Sequence, residues 1–236
     1  MNKKTKIIAI IPAKKNSKGL KNKNLKKLNN LSLVELTLIN AKKSKLIDEI
    51  YLSSDSEEIL NKGLKLKNIN IIKRKKSLCN NSASANSVIL DFVKSNNLNR
   101  SKDNIIIYLQ PTSPFRNNTH IDLAIKFFIK KKLRFLVSVQ ENKNFYKSLI
   151  IKKKYLDPFF NNDLITTNRQ RLNKIYSPNG AIYIFYSRDI FKNKKLLFNK
   201  AGYYLMNTID SIDIDNKEDY ELAKILCKKY IKLKKN

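Results

Sequence analysis

Apolar positions along the chain gather into short β-branched runs, separated by stretches in which they recur every three or four residues. "IIAII" (7–11) is followed by "SLVELTLINAKKS" (32–44), "EIYLS" (49–53) by "SEEILNKGLKL" (56–66), and "INII" (69–72) by "SANSVILDFVKS" (84–95) and "NIIIYLQ" (104–110). Runs alternating with helix-period segments predict an α/β chain, a mainly parallel sheet covered on both faces by helices. Ile7–Ile11 and Ile105–Leu109 are apolar almost throughout, as strands buried on both faces are. After "RFLVSVQ" (134–140) the alternation stops. From about Glu141 to Tyr176 the chain is polar, its shorter runs "SLIIKKKYL" and "PFF" have no convincing helix between them, and a segment of that length reads as a functional insertion or contact arm. Regular structure resumes with "AIYIFY" (181–186), "GYYLM" (202–206) and a last helix from about Lys217 to Tyr230.

In open parallel sheets ligands bind beyond the carboxyl ends of the strands, so the strand-exit loops are the candidate sites. The first exit, after Ile11, carries Lys14, Lys15, Ser17, Lys18, Gly19, Lys21, Lys23 and Asn24. Cations, a hydroxyl and an amide around a glycine can surround polyphosphate oxygens, although neither a GxxxxGK[ST] loop nor a GxGxxG fingerprint is present. A solvated lysine loop with a glycine turn is the other reading. The exit after Ile105–Gln110, "QPTSPFR", sets Gln110, Thr112, Ser113 and Arg116 beside two prolines that stiffen it, before a helix capped near Thr119. "SSDSEE" closes the strand at Glu49–Leu52, and His120, the single histidine, reads as a surface residue.

"DSIDIDNKEDYELA" (210–223) is the informative acidic stretch. If "SIDID" is extended, Asp213 and Asp215 point one way and Ile212 and Ile214 the other, and converging carboxylates suit a hard divalent cation such as magnesium. Asp215 and Glu218 also have capping-box spacing for the last helix, and the two roles are compatible. "SPNGAIYIFY" places Asn-Gly before a β sequence, a hairpin-turn signal, and Arg169 and Arg171 upstream offer planar forks to a carboxylate ligand.

Of the 236 residues 49 are Lys or Arg and 19 are Asp or Glu, a formal charge of +30. Such a balance suggests nucleic-acid binding. Nearly all the excess is lysine scattered among asparagine and isoleucine, which AT-rich codons supply, so most of it reads as solvated surface. The aromatics fall in strand-like runs instead of interleaving with cations, as single-strand binding requires. Cys79 and Cys227 are far apart and lack CxxC spacing, which excludes a disulfide framework and a zinc site and fits a reducing cytoplasm. No run approaches the ~20 apolar residues of a membrane helix. With one histidine, a hydrolytic triad cannot be assembled. A cationic loop, a dicarboxylate and a rigid polar wall are the parts for phosphoryl or nucleotidyl transfer.

These motifs, in order, resemble the acylneuraminate cytidylyltransferases (CMP-sialic acid synthetases), including the CMP-legionaminic and CMP-pseudaminic acid synthases. "IIAIIPAKKNSKGLKNKNLKKLNN", "YLSSDSEEI", "KRKKSLCNNSAS", "LQPTSPFR", "RQRLNKIYSPNGAIYIF" and "SIDIDNKEDYELA" carry the resemblance over nearly the whole chain. It implies a single cytidylyltransferase domain over 1–236, Rossmann-like, with a dimerisation arm at about 141–178. It also implies transfer of CMP from CTP to a nine-carbon α-keto sugar acid, a nonulosonic acid, with magnesium and in a homodimer. Lys14, Ser17, Lys18, Lys23, Asn24, Arg74, Ser82 and Ser84 are then nucleotide-binding, Gln110, Arg169 and Asn179 face the sugar, and Asp213 and Asp215 hold the metal. Lys23 and Asp213 take the catalytic roles. An enzyme for the eight-carbon acid KDO, a basic nucleic-acid-binding protein and an inactive relative are the alternatives. The chain departs from the pattern at Lys14 and Ser177, where arginine is usual, and at Asn81 and Ala85, where an acid and a serine are.

Overall fold

The computed structural model of the chain describes residues 5–17, 19–80, 83–98 and 103–233. In chain order its elements are β1 (Ile7–Pro12), a small hairpin of β2 (Lys27–Leu28) and β3 (Leu31–Ser32), α1 (Leu33–Lys43), β4 (Glu49–Ser54), α2 (Glu57–Leu64) and β5 (Asn70–Lys73). Then come α3 (Ala85–Ser95), β6 (Ile105–Tyr108), α4 (Asn118–Lys130) and β7 (Phe135–Glu141). An arm follows, with β8 (Leu149–Lys152), β9 (Tyr155–Pro158) and α5 (Asn162–Thr166). The chain closes with β10 (Tyr176–Tyr186), α6 (Ser187–Asn193), β11 (Gly202–Leu205) and α7 (Lys217–Leu233).

Seven strands form one sheet in the order β11-β7-β10-β6-β1-β4-β5, parallel except for β10, which runs antiparallel to β6 and β7. This is the α/β architecture expected from the alternation. Both faces of β1 are buried. Ala9 and Ile11 pack with Val34 and Leu38 of α1, Ile59 of α2 and Phe128 of α4, while Ile8 and Ile10 pack with Ile89 and Phe92 of α3. Because both faces are covered, the strand is apolar at every position instead of at alternate ones. From β1 the chain builds outward to β4 and β5, then returns to lay β6 on the other side of β1. That reversal opens a crevice at the carboxyl ends of β1 and β6.

Helix starts follow side-chain chemistry. Ser32 accepts from Glu35 N while Glu35 Oε2 accepts from Ser32 N, a capping box, and Asn117 makes the reciprocal arrangement with His120 at the start of α4. The cap of that helix is therefore Asn117, not Thr119. For α7 the cap also moves one residue from its expected place. Asp219 N is satisfied by Asn216 Oδ1, and Asp219 Oδ2 accepts from Asn216 N and Asp215 N, so the box is Asn216 with Asp219 and the Asp215 carboxylate is left for the cleft.

The Asn-Gly at 179–180 is not a hairpin turn. It lies inside β10, where the register against β7 shifts between Pro178 and Tyr183, and Gly180 has φ 76°. Asn179 bonds its own strand and its neighbours, with Oδ1 accepting from Ser138 Oγ at 2.5 Å and from Ala181 N at 3.2 Å, so a bulge replaces the turn.

Candidate active site

The crevice beyond β1 and β6 is a cleft of about 260 Å³ lined by Lys14, Ser17, Lys23, Asn24, Arg74, Ser84, Tyr108, Gln110, Thr112, Asp213 and Asp215. Segments from five parts of the chain meet there, and the order of the strands brings them together. A larger cavity of about 440 Å³ lies elsewhere, between α6 and the start of β7, and is walled mainly by Leu133, Phe135, Phe185, Ile190, Leu196 and Leu197. It has no paired carboxylates, so the smaller, polar cleft is the candidate for chemistry.

The first loop is anchored at several points. Asn24 is 5% exposed and its Nδ2 donates to Lys14 O at 2.8 Å, which fixes the loop's two ends to each other. Lys15 N donates to Asp55 Oδ1 at 2.7 Å, tying the loop to the end of β4. Lys23 Nζ lies 2.9 Å from Asp215 Oδ1, its side chain nearly buried while that of Asp215 is 75% exposed. Gly19 is required by approach, since a Cβ there would stand 2.2 Å from the Asp215 carbonyl oxygen. The cationic loop and the acidic loop are thus packed backbone to backbone. Asn24 serves the loop's shape with its amide, while Ser17, Lys14 and Lys23 line the cleft.

Arg74 stands at the exit of β5, 9% exposed, with Nη2 donating to Ser53 O at 3.0 Å and Nε to Ser53 Oγ at 3.3 Å. Burial pulls its guanidinium below the usual arginine value, and the nearby Tyr108 and Asp55 oppose that shift. It remains a cation at neutral pH. Ser84 caps α3 by accepting from Ser87 N at 3.1 Å and turns its residue to the cleft. Ser82 and Lys18, expected beside the nucleotide, and Asn81 lie outside the described residues.

Asp213 sits where the cleft meets a second cavity of about 290 Å³ lined by Gln140, Asn179, Thr208, Ser211, Asp213 and Asp219. Its Oδ1 is buried with no hydrogen-bond partner. Burial, first, and the charges of Asp215 and Asp219 hold its carboxyl above the ordinary aspartate value, while a hydrogen bond with Thr112 and the Lys23 charge act against them. The Ile214 N–H donates to Thr112 O at 2.9 Å and Ile214 is fully buried, so the acidic loop is pinned to the β6 exit. The extended reading of "SIDID" holds in part: Asp213 and Asp215 both reach the cleft and Ile214 points into the core, but no strand forms there.

Two carboxylates on one cleft wall, one with an unsatisfied buried oxygen, suit a hard cation whose remaining ligands come from phosphate oxygens. Among the described residues no three histidine, cysteine, aspartate or glutamate side chains gather into a closed metal cage. The donor set therefore fits magnesium carried with a nucleotide.

Gln110 lines the cleft and adjoins Gly180, where a Cβ would come within 2.7 Å of Gln110 Oε1 and 3.2 Å of Asp213 Oδ2. Asn179 borders the second cavity, but its amide is committed to the fold: besides the Ser138 and Ala181 bonds, Nδ2 donates to Ser211 Oγ at 2.9 Å. Arg169 is not brought to the cleft within one chain. It donates to Asn144 Oδ1 at 2.9 Å at the base of the arm, because β7 ends at Glu141 and carries the following residues away from the sheet. Arg116 of the polar wall is in the core. Tyr108, which sequence reasoning passed over, lines the cleft with its hydroxyl pushed up to about 12, chiefly by burial. Its signal was a single tyrosine closing an isoleucine run at a strand's carboxyl end.

The cytidylyltransferase family profile matches residues 8–235. An N-acylneuraminate cytidylyltransferase of Escherichia coli is 33% identical over 226 residues, which are 93% of this chain but 52% of that protein. A CMP-N,N'-diacetyllegionaminic acid synthase of Legionella pneumophila is 30% identical over 227 residues, 94% of this chain and 96% of that protein. The fold is also that of a solved CMP:2-keto-3-deoxy-manno-octonic acid synthetase complexed with CTP, at TM-score 0.70 and 12% identity, covering 96% of this chain and 100% of that one. The strand order, the cleft at its reversal and the match over nearly all of its length place this chain in the cytidylyltransferase family.

Proposed function

We propose that the chain transfers CMP from CTP to the anomeric hydroxyl of a nine-carbon α-keto sugar acid and releases pyrophosphate. The observation that carries this reading is the position of Asp213, which alone of the carboxylates among the described residues lines both the cationic cleft and the second cavity. A nucleotide in the first and a sugar acid in the second have their reacting atoms beside that carboxylate. Ser17, Lys14 and Lys23 face the phosphates, Arg74 and Ser84 flank the nucleotide, and Gln110 stands at the border of the two spaces. The Asp213 carboxylate accepts a hydrogen bond from the sugar hydroxyl and takes up its proton as the oxygen attacks the α-phosphorus. Lys23, already paired with Asp215, keeps a positive charge beside the departing pyrophosphate. Magnesium held by Asp213 and Asp215 would supply neutralisation of the phosphate charge.

Relatives of about 30% identity are named for N-acylneuraminate and N,N'-diacetyllegionaminic acid, which favours a nonulosonic acid over KDO, for which the support is likeness of fold. The arm favours a homodimer: Ile151 is 76% exposed, and Tyr155, Leu156 and Phe159 are exposed beside it. A cytoplasmic place fits the supply of CTP, and among the described residues no helix is long and apolar enough to cross a membrane. Incubation with CTP, magnesium and a panel of sialic, legionaminic, pseudaminic and eight-carbon acids tests the reading by the CMP-sugar formed. Product with a nonulosonic acid supports it; product with KDO alone overturns it.

A further inference from the structure

The antiparallel ladder between β6 and β10 runs from Ile105 opposite Tyr186 to Tyr108 opposite Tyr183. In the same register Gln110 falls opposite Ala181, but the ladder stops where β6 ends at Tyr108, and on its other side β10 shifts register against β7 between Pro178 and Tyr183. A side chain from outside the sheet fills that place. Arg116 Nη1 donates to Gln110 O at 2.9 Å and to Ala181 O at 2.8 Å, and its Nη2 donates to Thr37 Oγ1 of α1 at 3.0 Å. One guanidinium nitrogen thus bonds the facing carbonyls where the two strands part.

The placement is one of near-complete burial. Arg116 is 1% exposed and its Nε has no partner; burial pulls its guanidinium down, and the Asp213 charge acts against that shift without a direct ion pair. A buried charge without a paired carboxylate is less favourable than an apolar side chain of similar volume. Its geometric effect is on the cleft. Gln110 and Gly180, held on the two sides of the gap, meet there, and Asp213 packs against Gly180 with its carboxyl reaching both cavities.

We propose that Arg116 is a positioning residue that holds β6 and β10 apart beneath the cleft, so that Gln110 and Asp213 face each other across Gly180 in the arrangement the transfer needs. This rests on the proposed cytidylyl transfer and adds a residue that touches no substrate. Without the guanidinium, Gln110 and the bulge lose their common donor and shift, while the phosphate-facing Lys23 keeps its partner Asp215. The expected signature is a fall in kcat with CTP binding preserved.

The test compares wild type with Arg116→Met, Arg116→Lys and a control core variant, Phe128→Leu, all assayed well below their melting temperatures. Arg116→Met is expected to lower kcat roughly tenfold to a hundredfold, the scale set by small misplacements of reacting groups, while CTP affinity measured without sugar stays within about threefold of wild type. Arg116→Lys, which keeps a cation able to reach the two carbonyls, recovers part of the loss, and Phe128→Leu keeps the wild-type kcat. Equal kcat losses in Arg116→Met and Phe128→Leu overturn the proposal. If Arg116→Met does not fold, Arg116→Lys takes its place, and a kcat in that variant equal to that of wild type, with a crystal structure showing Gln110 and Ala181 displaced, overturns it instead. A wild type inactive with every sugar acid sinks the proposed reaction, and a crystal structure of Arg116→Met then decides the positioning role. Movement of Gln110 relative to Ala181 supports it; an unmoved pair overturns it.

Discussion

The cleft and the arm are built on opposite terms. In the cleft and the cavity behind it several polar side chains are tied to the fold: Asn24 to Lys14, Arg74 to Ser53, Lys23 to Asp215, and Asn179 to Ser138 and Ser211. The arm leaves its apolar side chains outside. All four residues of β8 are exposed, and the rings of Phe145, Tyr146, Phe159 and Phe160 cluster with one another beyond the sheet. A network of satisfied polar groups fixes geometry, which transfer chemistry needs. An apolar hairpin without a core is stable only against something else. The cleft is held by bonds within one chain, and the arm exposes the apolar surface on which the proposed second copy would pack.

Changes in the cleft are therefore expected to disturb reaction far more than stability, and changes in the arm to disturb assembly far more than reaction. The largest effect is expected from Asp215→Ala and Asp213→Asn, each lowering kcat by about a hundredfold to a thousandfold with circular dichroism unchanged. Asp213→Asn should also melt higher than wild type at neutral pH, because its folded carboxyl is raised by burial and ionising it there opposes folding. The sign follows from the raised value: the destabilisation is present above that value and disappears as pH falls through it, so the two melting curves converge in acid. Activity, which needs the carboxylate, is lost in the same direction.

Next in size is Gly19→Ala. Its Cβ meets the Asp215 carbonyl, so the first loop must move, and steady-state kinetics should show KM for CTP rising about tenfold, the equivalent of roughly 1.4 kcal/mol. Ile151→Asp with Leu156→Asp tests the arm: sedimentation should report monomer, against the dimer proposed for wild type, with the melting temperature changed by the equivalent of less than about 0.5 kcal/mol. The smallest effect is expected from Lys14→Arg, which restores a planar fork at the cleft wall and should raise kcat only a few-fold, since both residues carry the charge. A loss of dimer in the cleft variants, or a thousandfold loss of kcat in the arm variant, would erase the distinction.

How much of this was legible depended on whether a feature is local. Strand and helix order could be read because burial on both faces leaves β1 and β6 uniformly apolar and helical spacing marks α1 to α4. Asp213 and Asp215 could be read as a pair because they lie two residues apart in a basic chain. Asn179-Gly180 misled, because a turn signal says that positive φ is tolerated, not which tertiary contacts demand it. Here the demand comes from Gln110 and Asp213, far away in sequence. Arg116 looked like a wall residue for the same reason, its three partners being Gln110, Ala181 and Thr37 from three separate parts of the chain. Arg169 was placed at the sugar by motif, and within one chain it stays at the arm's base.

The most direct measurement is pyrophosphate release from CTP by the wild-type chain with a nonulosonic acid, followed with magnesium present and again after EDTA. Release is expected to depend on the sugar acid, to stop with EDTA and to return when magnesium is added back. Equal release in EDTA, or release that ignores the sugar acid, rules out magnesium-dependent transfer to a sugar acid.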